Sequence, residues 1–338
     1  MEYEGKFYSE LYCQELGVSI ATNSVSRLFN SLNTAISLIS LVLLMDVAIR
    51  HRKRFICHVS LTLLIYNLFI SSIAHVLVYF VAQVRYLTLS FTFTTPCSLF
   101  ISKSEYAIVQ IIFTYSIIWM ENIQFALVVE RVVASIFTEW YGTTKYSLGW
   151  FLSICCIVLT LAQVIYFTWQ ESFSVPTVNG LSKPATLIKL MNSFFIVSIA
   201  TNGISLAVCV ALYIKNKREN ARRSFELSCR FQSEENASTA FLVCGILVTH
   251  YCVFLIYRSL YLLTNVVADT PRELEVYRSA SHVLSLSPLL LGILTIWYFR
   301  EVRRTRKMRI TTLVSMQSNG ADGWNNYASV LGSQWSRQ

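Results

Sequence analysis

The 338-residue chain is 54% hydrophobic and only 14% charged, with a mean hydropathy of +0.50, whereas soluble domains carry about 25% charged residues. That balance excludes an ordinary soluble enzyme and marks an integral membrane protein. The net charge of +9 would suit nucleic acid if the basic residues formed one stripe. They fall instead in clusters between apolar runs, a topology signal that leaves no nucleic-acid partner.

Residues 1–27 begin MEYEGKFYSELYCQELG. They lack the apolar core of a cleaved signal, so the first spanning helix is expected to act as the insertion signal and this stretch to lie outside. Seven apolar segments follow, at about 28 to 49, 56 to 83, 105 to 130, 148 to 169, 190 to 214, 239 to 263 and 280 to 299. Each is long enough to cross a hydrocarbon core of roughly 30 Å. The expected fold over 28–300 is therefore an all-α membrane protein, a seven-transmembrane helix bundle. Residues 301–338 are expected to form a cytoplasmic tail, its REVRRTRKMR run a short basic surface helix and the remainder disordered. Ordinary charge anchoring of the last span explains the basic run equally well.

Lysine and arginine decide orientation. With the N-terminus outside, the inner connections hold Arg50 to Arg54, Lys215 to Arg230 and Arg300 to Arg309, more than twice the basic residues of the outer ones. The positive-inside rule then gives N-outside and C-inside. On this topology only Cys13 and Cys97 face the oxidising side. They are either a disulfide joining the N-terminal segment to the third helix or two unpaired thiols.

The third segment carries the most information. Gln110, Thr114, Glu121, Gln124 and Arg131, with Ile117 and Val128 on the remaining rungs, fall at alternating spacings of four and three, hence on one helix face. A polar stripe turns away from lipid, which places this helix inside the bundle. Glu130-Arg131 at its inner end can hold a neighbouring helix closed and release it on rearrangement; the alternative is a helix end with a snorkelling arginine. Glu121 and His250 of the sixth segment sit at comparable depth, as a functional pair or a structural polar contact.

Nearer the outer surface, Gln110, Thr114, Tyr257, Arg258, Tyr261 and His282 are ligand-pocket candidates along with Glu121 and His250. Tyrosine and arginine also collect at membrane interfaces without any ligand. Pro288 is expected to kink the seventh helix near mid-membrane. The five histidines form no paired metal motif, and neither a nucleophile elbow nor a phosphate loop is present. No metal, no cofactor and no enzymatic activity are expected.

Three motifs carry a family resemblance. Leu227-Ser228-Cys229-Arg230-Phe231-Gln232-Ser233-Glu234-Glu235-Asn236 leads into the sixth helix, Glu130-Arg131-Val132-Val133-Ala134 ends the third, and Pro96-Cys97 precedes it. Together they resemble the signatures of nematode serpentine chemoreceptors, G protein-coupled receptors of class alpha and alpha-like type (Sra and Srab). Phe231 stands where that pattern has tyrosine, and Phe137 to Tyr141 replaces its clear Tyr-Glu. The resemblance implies a multi-pass plasma-membrane receptor of sensory neurons that binds a small molecule and activates a heterotrimeric G protein. It also implies coupling roles for Glu130, Arg131, Arg230 and Glu235. The lipid bilayer is the second partner, and a receptor dimer is an arrangement left open. A ligand-gated channel or transporter, or a non-signalling membrane scaffold, is the alternative.

Overall fold

A computed structural model describes residues 2–3, 6–50, 58–137, 140–141, 147–169, 171–222, 227–314, 323–325, 327–329 and 332. Among the described residues, eight helices of ten or more residues organise it: α1 Ser24–Arg50, α2 Val59–Thr92, α3 Lys103–Ile136, α4 Ser147–Trp169, α5 Ala185–Arg222, α6 Leu227–Val267, α7 Pro271–Ala280 and α8 Leu286–Val314. Among the described residues, strand is confined to a two-residue hairpin pairing Glu2 with Phe7 and Tyr3 with Lys6. The chain divides into two units, Met1–Leu294 and Thr295–Gln338.

Local chemistry starts the helices. Asn23 Oδ1 accepts the backbone N–H groups of Val25 and Ser26 at the head of α1. Ser102 caps α3 through Glu105 N–H, and Thr270 caps α7 through Glu273 N–H with Pro271 at the first helical position. Spans within α1 to α6 are long and apolar enough to cross a membrane. Their outward residues, such as Leu38, Ile39 and Val42 on α1 and Ile108, Ile112 and Phe125 on α3, are exposed in the protein alone, as a lipid-facing surface requires.

The seventh span is built differently from the sequence expectation. The segment from 280 to 299 is not one helix: α7 stops at Ala280, a turn covers 281 to 285, and α8 begins at Leu286. Pro288 therefore sits in the first turn of α8 and kinks no helix. Its ring excludes a helical carbonyl four residues earlier, at Leu284, so the chain ends one helix and starts another. The basic run from Arg300 continues α8 to Val314 instead of forming a separate surface helix. The tail beyond Val314 lies mostly outside the described residues.

Candidate functional site: an outer cavity and an inner ion pair

The helix α3 stripe is buried along its length: Gln110, Thr114, Glu121, Gln124 and Arg131 are all inside the bundle. It joins three polar assemblies at different depths.

At the end of the bundle that bears the N-terminal segment, called outer on the topology expected from the charges, a cavity of about 340 Å³ opens among that segment, the 171–184 connection and helices α3, α6 and α7. A disulfide between Cys13 and Cys97 ties the N-terminal segment to the turn before α3. Gly17 permits the close fit there, because a Cβ would lie 2.8 Å from the Phe100 ring. The 171–184 connection is fixed from α3: Gln110 Nε2 donates to Gly180 O at 2.8 Å and Ser182 O at 2.9 Å, and Tyr106 Oη donates to Ser182 O at 2.5 Å. Phe173 adopts a left-handed backbone, φ 50°, a conformation costly for a bulky residue. Its ring holds it there, buried edge-on against Tyr106 with centroids 5.4 Å apart.

At mid-depth, Glu121 accepts hydrogen bonds from three side chains on two helices, α5 and α6. His250 Nε2 lies 2.8 Å from Oε1, while Ser198 Oγ at 2.8 Å and Asn202 Nδ2 at 2.5 Å reach Oε2. His250 Nδ1 meets Ser287 Oγ at 2.9 Å. One carboxylate thus links α3, α5, α6 and α8, and satisfying its lone pairs offsets the cost of burying it.

At the inner end, Glu130 and Arg131 form a fully buried bidentate pair, with Nε–Oε2 2.6 Å and Nη2–Oε1 2.8 Å. Arg131 Nη1 donates across to Thr239 Oγ1 of α6, and Tyr141 Oη donates to Glu130 while accepting from Arg131 Nη2 at 3.1 Å. The Tyr141 ring packs at a tilt against His58, centroids 4.1 Å apart. Asn236 Nδ2 adds a second α6-to-α3 bond, to Ala134 O at 3.3 Å. Arginine at the third helix, held to the sixth by neutral and charged bonds, is a contact that helix separation must break.

The family model for the serpentine type 7TM GPCR chemoreceptor Sra matches residues 12–330. The chain belongs to the Sra family of serpentine chemoreceptors. It is also similar to Caenorhabditis elegans serpentine receptor class beta-17, 23% identical over 82% of this chain and 78% of that one. Class beta-16 is 23% identical over 83% and 84%, and class alpha-6 22% identical over 66% and 69%. Relatives of both classes match, so the alpha character of the motifs does not separate the two. The protein is a multi-pass membrane receptor of the chemosensory kind.

Within this Sra receptor the sequence-chosen residues divide by depth. Tyr257, Tyr261 and His282 line the outer cavity. Gln110, Thr114, Glu121, His250 and Arg258 do not. Gln110 anchors the cavity wall; Glu121 and His250 form the deeper network, beside a void of about 10 Å³, room for about one water. Arg258 donates to Asn192 Oδ1 at 3.2 Å and lies over the Phe195 ring. Arg230 and Glu235 fall in α6, but their side chains lie outside the described residues. Sequence reasoning missed Lys183, Thr239 and Tyr141. Lys183 lines the cavity from a connection, and Thr239 and Tyr141 complete the Arg131 site. None belongs to a periodic pattern, and only the Lys183-Pro184 step, a chain-direction signal, hinted at a fixed position.

Proposed function

We propose that the receptor binds a small molecule in the outer cavity, lies N-terminus outward in a sensory-neuron plasma membrane, and activates a heterotrimeric G protein at the face carrying Glu130 and Arg131. The observation that carries this reading is the buried Arg131 bonded to Thr239 across the α3–α6 boundary. It is a two-state element: intact when α6 is closed, broken when α6 withdraws. The asymmetry of lysine and arginine between the two sides supports the orientation. A ligand acts by binding the open state more tightly, each tenfold shift in the ratio of states requiring about 1.4 kcal/mol of differential affinity.

The test is Arg131→Ala in cells supplied with G proteins and scored for surface expression. G protein activation is expected to vanish while the receptor still reaches the surface, because on this reading the released guanidinium itself has the coupling role that Thr239→Val leaves in place. Undiminished activation at equal surface expression would contradict the assignment.

A further inference from the structure

Cations gather at one end of the outer cavity. Lys183 lines the cavity, its Nζ 4.3 Å from the Phe195 ring centroid, 5.6 Å from Tyr257 and 5.7 Å from Tyr261. Arg258 lies over the same Phe195 ring at 4.4 Å, buried, with its Nε lacking an acceptor. Among the described residues neither has a carboxylate partner. Arg278 differs, since Glu275 Oε1 lies 3.6 Å from its Nη1. Aromatic faces attract an ammonium but accept none of its three hydrogen bonds in the way an anion does. An unneutralised Lys183 in a partly dry pocket, with the Arg258 charge buried behind the same Phe195 ring, is costly unless a counter-charge arrives.

Resting on the reading of this cavity as the ligand site, we infer that it takes an organic monocarboxylate with an aromatic body, the carboxylate on Lys183 Nζ and the ring against Tyr257 and Tyr261. One negative charge is the right number. Glu275 and Glu171 stand along the same wall, Glu275 accepting from Ser182 Oγ at 2.6 Å and Glu171 from Phe173 N at 3.0 Å, and both repel a second. The cavity volume of about 340 Å³ falls at the small end of the 300 to 1,000 Å³ typical of ligand sites. Gln110 and Tyr106 act as positioning residues: by fixing the Ser182 carbonyl they set where Lys183 stands.

Proton linkage follows. Burial, then the nearby Arg258 and Arg278, hold the Lys183 ammonium down to about 7. The other groups facing it are Tyr257, Tyr261, His282 and Glu275. A carboxylate needs Lys183 charged, so binding is at full strength below pH 7 and weakens above it, by up to tenfold per pH unit.

The experiment uses the full chain in lipid nanodiscs and reads the thermal-unfolding midpoint against benzoate, phenylacetate and indole-3-acetate. The primary amides and amines of the same skeletons serve as controls. At least one acid is expected to raise the midpoint while its amide and amine do not. Lys183→Gln is expected to weaken that acid at least tenfold. Lys183→Arg keeps binding and loses the pH dependence, which also shows that the fold tolerates change at this position. Absence of a shift with every acid, equal shifts with amides, or full binding in Lys183→Gln would overturn the inference. If amides or amines bind and Tyr257→Ala abolishes their binding, the cavity remains a ligand site and only its anionic character is lost.

Discussion

Glu121 shows how much a single side chain carries in this bundle. Its carboxylate satisfies His250, Ser198 and Asn202 together, so deleting it strands three buried polar groups and costs about 3–5 kcal/mol. Glu121→Leu is therefore expected to lower the thermal-unfolding midpoint of the purified receptor well below that of the native chain. Glu121→Leu with His250→Leu is expected to recover much of the loss, because an apolar pair leaves no charge without a partner. A double-variant loss equal to the sum of the Glu121→Leu and His250→Leu losses would show that the pair is not coupled. This contact was legible in the sequence because depth along two helices can be counted at 1.5 Å per residue. Lys183 was not, because its neighbours Phe195, Tyr257 and Tyr261 meet it only through the folding of a connection. Tyr141 was hidden for the same reason: it returns to Glu130 from beyond the end of α3.

Among the helices, close approach is set by small residues. A Cβ on Gly149 of α4 would stand 2.7 Å from the Ser60 Cα of α2 and 2.9 Å from its carbonyl oxygen, backbone atoms that cannot move aside. Nearby, Asn67 Nδ2 donates to Ser153 Oγ at 3.0 Å, so spreading these helices also breaks a buried bond. Gly149→Val is expected to cut the yield of monodisperse receptor sharply, whereas Gly203→Ala, whose Cβ would find Tyr251 Oη at 3.5 Å, is expected to be tolerated. Comparable elution profiles for both would refute this packing. Elements 1 to 6 could be read from length and apolarity, since both follow from bilayer thickness. The seventh could not be read as one helix. Apolar composition runs on through 281 to 285, and only the steric reach of Pro288 back to Leu284 explains the break there. Asn236 is a buried α6 residue bonded to Ala134.

Among the described residues, α3 is the member common to the outer, mid-depth and inner assemblies. From Gln110 to Arg131 it covers roughly 32 Å, the thickness of a hydrocarbon core. It fixes the cavity wall at one end, meets α5, α6 and α8 at Glu121, and bonds to α6 at the other end. On the proposed function, cavity and ion pair bias one equilibrium of α6 against α3. Thr239→Val tests it most directly, since it removes the α6 hydroxyl that accepts from Arg131 Nη1 while keeping the side chain's shape. Losing a hydrogen bond to a charged group is worth about 1.5–3 kcal/mol, so ligand-free G protein activation should rise about tenfold or more at equal surface expression. Unchanged or lower ligand-free activation would contradict the claim.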